Sequence, residues 1–287
     1  IRMKLTFEDC RLEVFHKRRH YLLSKVNMLA DINTDDDMIL ELSTGHFGGT
    51  MVGNGVKLKG TVDFDGAELP LADFYISFMD VDPSSLGMGI NIHDKMTLDS
   101  HLTGPLHEIS GEGHVRMEQL HIPALDFENV RGRVDYDGEK LYFNDVEASV
   151  FGGKLVAEGE YDLDTRYYSI HGVGTDLQAQ KALPGSHLSC NVDLEMFLSS
   201  KGSGRETSSY GHFSAGEGRF KIIPFKSMSG KFRQGYRDLE FNDVAIEFAG
   251  LTMRTDYLQV KEGKLTFNPI NITDKNGELL AVYEGRK

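Results

Sequence analysis

The chain has 287 residues and a formal net charge of -13, from 44 acidic and 31 basic side chains. Hydrophobic residues make up 40% of it, and 31 glycines stand beside 7 prolines and no tryptophan. This allows one large all-β domain or two ordinary domains with a buried core. The acidic balance argues against nucleic acid as a partner and against general adsorption to anionic membranes. The basic run HKRRH at 16–20 is short, and we interpret it as a solvated strand face.

The two cysteines, Cys10 and Cys190, lie in no CxxC or Cys/His pattern. We interpret them as small buried thiols, although one disulfide stays open. No segment reaches ~18 continuous apolar residues, so no transmembrane helix is predicted, and no signal peptide is visible. The chain starts in strand-like alternation at IRMKLTFED, which suggests a segment of a longer protein.

Residues 31–42 read DINTDDDMILEL and begin like a calcium-binding loop. Such a loop requires glycine at its sixth position and glutamate at its twelfth. Those positions hold Asp36 and Leu42. We therefore predict an acidic hairpin turn between two strands.

Four histidines follow, at His101, His107, His114 and His121. Odd spacings along a strand place side chains on alternating faces. No cysteine accompanies them, so we interpret them as surface residues rather than zinc ligands. The GxSxG, HExxH and HxE…PCxxC signatures are absent. We predict no enzyme, catalytic residue, metal or cofactor, while an acidic pair for glycoside hydrolysis stays open from the residues alone.

The chain repeats itself. HFGGTMVGNG at 46–55 resembles VFGGKLVAEG at 150–159, and VRGRVDYDGEKLYFNDVEA at 130–148 resembles MSGKFRQGYRDLEFNDVAI at 228–246. The unit spans roughly 100 residues, longer than a solenoid rung, so each copy should hold several strands. We predict one continuous β structure comprising a first repeat region at 1–100, a second repeat at 101–198, a Ser/Gly-rich loop or linker at 199–209 and a third repeat at 210–287.

Within each repeat apolar and polar residues alternate, which predicts an antiparallel meander with one apolar and one wet face. Asp137-Gly138 is a hairpin dipeptide, and Asn144-Asp145 interrupts the alternation like a β-bulge. The predicted apolar face, which is also our candidate lipid-binding groove, comprises Val134, Leu141, Phe143, Val146, Ala148, Val150, Leu155, Ala157, Phe232, Leu239, Phe241, Val244, Ile246 and Phe248.

The FGGK at 151–154 could begin a phosphate-binding loop or be a hairpin bend. A phosphate loop needs G-x-x-x-x-G-K-[ST] between a strand and a helix. Ala148 stands where the first glycine is required, and Leu155 stands where Ser or Thr is required. The strand-like LVAEGEY follows, so we predict a bend.

Amphipathic helices are nearly absent, and 177–183 holds the one plausible helical turn or two. The apolar face must therefore pack on itself or be covered by something outside this sequence. The fold class predicted from the residues is all-β, an antiparallel sheet of repeated meanders with few or no helices.

A longer phrase, at 101–163, carries a resemblance to a known family. It opens with LTGPLHEISG at 102–111, continues with LHIPAL at 120–125, and ends with a run from Asn129 to Gly159 of the form NVxGxxxxxxxxLxFxDxxAxxxGGxLxxxG. The phrase resembles the repeating unit of the AsmA-like superfamily, closest to its TamB and YhdP-type members.

The resemblance covers most of the chain, with a second match to the end of the phrase at 228–257 and a weaker one at 38–56; residues 68–100 depart from it. It implies a periplasmic segment of a cell-envelope protein from a two-membrane bacterium, with an inner-membrane anchor outside this segment. It also implies a long curved antiparallel sheet, like a folded taco, with an open apolar groove. Members are implicated in moving phospholipids toward the outer membrane or in outer-membrane assembly, and no catalytic residues carry over.

Two functions follow as hypotheses. The first is that the apolar groove binds and conducts phospholipid acyl chains between the inner and outer membranes, possible partners being outer-membrane assembly or other envelope proteins. The second is a structural or adhesive β-sandwich or solenoid with a filled core that binds partners on its outer surface.

Overall fold

The computed structural model describes most of the chain. The described residues are 1–16, 19–33, 35–47, 50–64, 69–86, 92–122, 125–201, 203–262 and 264–284. Lys17 and Arg18 of the basic run, and Gly48 and Gly49 of the first FGG copy, lie outside them.

Strands dominate the described residues, which confirms the prediction of an all-β antiparallel fold with few helices. Nineteen strands belong to one antiparallel sheet, and three short ones form a second sheet. The strands are β1 (Arg2–His16), β2 (Arg19–Asn33), β3 (Asp37–Phe47), β4 (Thr50–Asp63), β5 (Leu71–Val81), β6 (Met96–Pro105), β7 (Ser110–Ile122), β8 (Leu125–Tyr136), β9 (Lys140–Val150), β10 (Gly153–Asp162), β11 (Tyr168–Gln178), β12 (Leu188–Ser189), β13 (Asn191–Ser200), β14 (Ser208–Ala215), β15 (Gly218–Phe220), β16 (Ile223–Phe225), β17 (Ser227–Gln234), β18 (Asp238–Glu247), β19 (Leu251–Lys261), β20 (Lys264–Phe267), β21 (Ile270–Asp274) and β22 (Leu279–Tyr283).

Helical structure in the described residues is limited to one short helix, α1 (Ala179–Ala182), and two 3₁₀ turns at Pro83–Leu86 and Gly204–Glu206. The helix falls inside the segment predicted to hold it. None of these described helices has the length and apolar character needed to cross a membrane.

The chain divides into two compact units. Unit 1 comprises residues 1–148 and 160–166, and unit 2 comprises residues 149–159 and 167–287. The predicted division into three repeats stays a prediction. The Ser/Gly-rich stretch at 199–209 joins two strands of unit 2, since β13 and β14 pair directly up to Ser199 and Ser208.

In unit 1, β1 to β8 follow one another as antiparallel neighbours. Residues opposite each other on neighbouring strands form rows that run across the strands. Because successive side chains along a strand point to opposite faces, each row lies on one face of the sheet. One apolar row consists of Phe7, Met28, Leu42, Leu58 and Ile76. The most buried side chains of the same face, Val26, Val62 and Val81, are at most 1% exposed.

Three buried clusters build the core of unit 1, each from strands that are consecutive along the chain. The first centres on Val26 and Val56, the second on Val62 and Phe74, and the third on Val115, Met117, Val130 and Val134. Cross-strand neighbours therefore supply the packing within each cluster.

In unit 2, β11 pairs with β13, and the sheet continues through β14, β17, β18 and β19. Strand β19 pairs with both β20 and β21, and β22 lies beside β21. The small sheet of β12, β15 and β16 belongs to this unit as well.

The predicted interruption at Asn144-Asp145 is confirmed as a bulge position. Asp145 has φ 51, in the left-handed region, and its repeat equivalent Asp243 has φ 54. In the C-terminal copy, Asp243 and Val244 together face the single residue Gly230 on β17. Two residues against one is the definition of a bulge, and it bends and twists the strand.

The bulge explains why the second repeat carries a glycine opposite it. A Cβ added to Gly132 would lie 2.6 Å from Val146 Cγ2 and 2.8 Å from Val146 Cα. A backbone atom cannot move aside as a flexible side-chain end can. Gly132 is therefore fixed by the close approach of the bulged strand, whereas a Cβ at the matched Gly230 would first meet the Phe213 ring, at 2.8 Å.

We expect Gly132→Ala to lower the free energy of unfolding by ~1–3 kcal/mol, because the new methyl group overpacks this contact. Urea unfolding measures the change. Gly216→Ala is the control, since a Cβ there meets nothing within 4 Å, and its effect should stay within ~0.5 kcal/mol. Equal losses in the two variants would contradict the account of the bulge.

The FGGK bend is confirmed. Strand β9 ends at Val150 and β10 begins at Gly153, and the two residues between them, Phe151 and Gly152, have φ 49 and 77. Positive φ at both central positions is the type I′ hairpin, whose twist matches that of the strands. Lys154 is exposed on β10, and a strand, not a helix, follows the glycines.

The acidic turn predicted within 31–42 is confirmed for its described residues. The Asp36 N–H donates to the Asn33 carbonyl oxygen at 3.0 Å. Strands β2 and β3 pair directly outside this turn, with Ile32 opposite Met38. The turn therefore closes a hairpin.

Candidate functional site

A row of large apolar side chains crosses the apolar face of unit 2. It consists of Met196, Phe232, Phe241, Leu258 and Phe267, which we call the aromatic row. Gly211 occupies its place on β14, between Met196 and Phe232. Five strand spacings of ~4.8 Å give the aromatic row a length of ~24 Å from β13 to β20.

The five side chains of the aromatic row are half-buried, so each keeps an accessible apolar surface. The Phe213 ring lies edge-on to Phe241, with centroids 6.0 Å apart, and it covers Gly230. Edge-to-face packing holds the rings in defined orientations. Gly211 contributes no side chain to the aromatic row, and a Cβ added there would clash with the Glu195 carbonyl oxygen, so β13 and β14 approach closely at this point.

The apolar face near the end of β18 is covered by other elements of unit 2. Ile246 and Phe248, both predicted as groove residues, pack against buried Phe225 of the small sheet, Cys190 and Ala179 of α1. The small sheet and α1 therefore cover this part of the face. The structure places these two residues in a core cluster, whereas Phe232 and Phe241 belong to the accessible aromatic row.

The other predicted residues of the third repeat lie beside the aromatic row. Leu239 pairs with Val260, and Val244 of the bulge pairs with Thr255. Both are half-buried. They extend the apolar face of β18 on either side of Phe241.

The predicted residues of the second repeat fall in both units. In unit 1, Val134 is buried, and half-buried Leu141, Phe143, Val146 and Ala148 pack around its cluster. The structure thus brings these five together. In unit 2, Val150 is 5% exposed, while Leu155 and Ala157 are half-buried on β10.

Unit 1 also carries a trough of about 1100 Å³ that crosses β1 to β7. On each of β3 to β7 its lining comes from three consecutive residues, as in Glu41, Leu42 and Ser43. The first and third of each triplet share one face of the strand. The apolar side chains two positions from the middle residue, such as Leu40 and Phe74, are absent from the lining. The lining does include all five residues of the apolar row, Phe7, Met28, Leu42, Leu58 and Ile76, so the trough borders apolar as well as polar side chains.

Charged and aromatic groups also line this trough. Lys59 Nζ pairs with Glu41 Oε1 at 3.0 Å, and the Tyr75 ring stacks on His101 with centroids 4.2 Å apart. The Ser77 hydroxyl donates to Asp99 Oδ1 at 2.6 Å. No local sequence pattern predicts this site, because it depends on which residues of separate strands lie opposite each other.

The four histidines at 101–121 each have their own surroundings. His101 Nε2 lies 2.7 Å from Asp73 Oδ1, and His121 Nδ1 lies 2.6 Å from Asp94 Oδ1. His107 lies 3.6 Å from Glu108, and His114 is exposed on β7. Within the described ranges, no three histidine, cysteine or carboxylate side chains come together as a metal site would require.

A second polar cluster lies on unit 2. His171 is held between Glu195, at 2.9 Å from Nε2, and Glu158, at 3.3 Å from Nδ1. Its ring stacks on Phe197, which stacks on Tyr210. The hydrogen bonds from Glu195 and then Glu158 raise the pKa of His171, against a smaller opposing effect of burial.

The cluster around His171 predicts that the stability of the fold depends on pH. The folded pKa of His171 is raised, so its contribution to stability is fully present below the unfolded pKa of ~6.5 and is lost as pH rises through the folded pKa. We expect the thermal midpoint to fall across that window more in the wild type than in His171→Gln. If the thermal midpoints of the wild type and of His171→Gln change in parallel from pH 5 to 9, the two glutamates do not stabilise the imidazolium.

Both cysteines are free thiols. Cys190 is buried, as predicted, and burial raises the pKa of its thiol. The prediction of a buried thiol is wrong for Cys10, which is only partly buried, because β1 has a single neighbouring strand, β2, among its described pairings.

Known proteins give no further guide to this site. No protein-family model, no curated protein and no solved structure matches the chain.

Proposed function

We propose that the chain binds phospholipid acyl chains on its apolar face, with the aromatic row of unit 2 as the principal site. The observation that carries this proposal is the ~24 Å run of half-buried Met, Phe and Leu side chains across six strands. A leaflet of a bilayer is ~15 Å deep, half of the ~30 Å hydrocarbon core. The row is long enough for one extended acyl chain.

The chemistry of this face favours movement of an acyl chain along the row over discrimination between phospholipids. Each methylene moved from water onto it contributes up to ~0.8 kcal/mol, and this attraction has no preferred direction. The aromatic row offers no charged group of its own to hold a head group. Acyl chains of different phospholipids should therefore bind alike and move along the row.

The wider role we propose is phospholipid conduction between the inner and outer membranes of a two-membrane bacterium, in support of outer-membrane lipid homeostasis or assembly. Two observations support it. The repeated phrase resembles that of AsmA-like proteins, and the described chain is a large antiparallel sheet with very few helices. In this role the segment is periplasmic, its inner-membrane anchor lies outside this sequence, and other envelope proteins are its partners.

The test is native mass spectrometry of the purified chain after incubation with phosphatidylethanolamine, and separately with phosphatidylglycerol. We expect a one-lipid adduct with either lipid, with occupancies within about twofold, because apolar burial ignores the head group. Absence of an adduct with both lipids would overturn the proposal. Binding of only one lipid would contradict the non-selective mode.

The charged and aromatic groups in the trough of unit 1 favour a second candidate, a surface that binds an extended polar partner. Tyr75 is 60% exposed beside the Lys59–Glu41 pair, and aromatic and charged groups together are typical of recognition surfaces. This fits the alternative of a β structure with a filled core. If this second candidate is correct, Tyr75→Ala should weaken the capture of a partner from an envelope extract. Native mass spectra of the chain should then show no lipid adduct.

A further inference from the structure

A short hairpin of unit 2 stands apart from the aromatic row. Strands β15 and β16 pair with Arg219 opposite Pro224 and Phe220 opposite Ile223. Between them the turn consists of Lys221, with φ 53, and Ile222. The hairpin is therefore a tight two-residue turn that presents its side chains at a tip.

The base of this hairpin is firmly held. Phe225 is 4% exposed and packs in the cluster of Cys190, Ala179 and Ala215. The Lys221 N–H donates to the His187 carbonyl oxygen at 2.9 Å. A hairpin anchored at its base presents its tip in a fixed direction, without an ordering cost on binding.

The tip itself is apolar and exposed. Ile222 is 92% exposed, Ile223 52% and Phe220 46%. Three neighbouring large apolar residues in water are a recognised mark of an interaction site. The turn needs none of them, because polar residues and glycine suit such a turn better.

The hairpin itself is basic, although exposed Glu217 directly precedes it, in a chain that is acidic overall. Residues 218–226, GRFKIIPFK, hold three basic side chains and no acidic one, in a chain of net charge -13. Arg219, Lys221 and Lys226 are all exposed. Beyond a Debye length of ~10 Å at 0.1 M salt, the distant acidic groups are largely screened from a surface that meets the tip.

We propose that this hairpin inserts into the interface of a bilayer that carries anionic head groups. Apolar side chains flanked by Lys and Arg suit the boundary between acyl chains and head groups, where insertion reaches ~5–10 Å, and the basic groups are attracted by anionic lipid. A protein partner would need an apolar pocket ringed by acidic groups; an anionic bilayer supplies both parts at once. The proposal does not rest on acyl-chain binding to the aromatic row.

The chain has no tryptophan, so Ile222→Trp provides a single reporter at the tip. The probe is vesicles of phosphatidylcholine with 30% phosphatidylglycerol, and we expect a blue shift of emission and quenching by brominated acyl chains. Leu280→Trp is the control, since Leu280 is 60% exposed on β22. No shift at 222, or an equal shift at 280, would overturn the proposal, as would a concentration-dependent shift without vesicles, which indicates pairing of two copies.

Vesicle co-sedimentation separates charge from apolar insertion. Replacing Arg219, Lys221 and Lys226 by glutamine should weaken binding ~100-fold, at about fivefold per charge. Ile222→Ser with Ile223→Ser should weaken it at least ~10-fold, and Leu279→Ser with Leu280→Ser should leave it unchanged. Unchanged binding in both hairpin variants contradicts the proposal.

Native mass spectrometry without vesicles tests acyl-chain binding to the aromatic row by itself. Lipid adducts should persist in the hairpin variants, so the two proposals can fail independently of each other.

Discussion

Replacing both Phe232 and Phe241 by aspartate is expected to abolish acyl-chain binding, by ~100-fold or more, and to leave the sheet folded. Two rings of the aromatic row are lost, each contributing ~1.5 kcal/mol or more to apolar burial, and two carboxylates would oppose a methylene chain. Both side chains are only half-buried, so the new carboxylates can reach water. Native mass spectrometry measures the lipid, and far-ultraviolet circular dichroism measures the fold.

The matched control places two aspartates on the other face of the same strands. Ser229→Asp on β17 and Asn242→Asp on β18 add the same charge there, with Lys231 opposite Asn242. This variant should keep its lipid. If the Phe232 and Phe241 variant unfolds instead, the apolar face is a filled core and the rival architecture is correct.

The second large effect is expected on stability. Val62 is 0% exposed in the cluster of Ala72 and Phe74, and Val62→Asp should unfold unit 1. An unpaired carboxylate there loses its hydration with no partner in exchange, which exceeds the few kcal/mol by which domains are stable.

Its control is the preceding residue, Thr61, which is exposed on the other face of β4. Thr61→Asp should change the free energy of unfolding by no more than ~0.5 kcal/mol. Urea titration followed by circular dichroism compares the two. A native-like transition in Val62→Asp would mean that this face of unit 1 is open to water.

Local patterns predicted the strands, faces and turns well. The alternation around Leu141 and Phe143 fixed which side chains share a face, because a strand has a period of two. Asp137-Gly138 and Phe151-Gly152 fall at hairpin turns, because positive φ at a turn selects such residues. Ala148 in place of the first glycine and the strand-like LVAEGEY after the turn separated FGGK from a phosphate loop.

Pairing between strands was harder to predict. Asp9 and Asp176 adopt left-handed φ inside strands, and their N–H groups donate to Asn27 Oδ1 and Asp193 Oδ1 of the neighbouring strands. The supporting acceptors are 17 or 18 residues away in sequence, so no local pattern reveals these positions.

The same reason limits prediction of the site. Phe232 and Phe241 were predicted on the apolar face with Ile246 and Phe248, yet the small sheet and α1 cover only the latter pair. The local hydrophobic pattern treats all four residues alike, although Phe232 lies on β17 and the other three lie on or directly after β18. Covering elements come from residues 179–225, whose contact with β18 is a tertiary feature.

Photo-crosslinking tests the central claim most directly. Benzoylphenylalanine replaces either Phe241 or its neighbour Glu240, which lies on the opposite face of β18, and the chain is irradiated with phosphatidylethanolamine. We predict a lipid crosslink from position 241 and none from position 240. Equal crosslinking from both positions, or none from position 241, would contradict an acyl chain bound along the aromatic row.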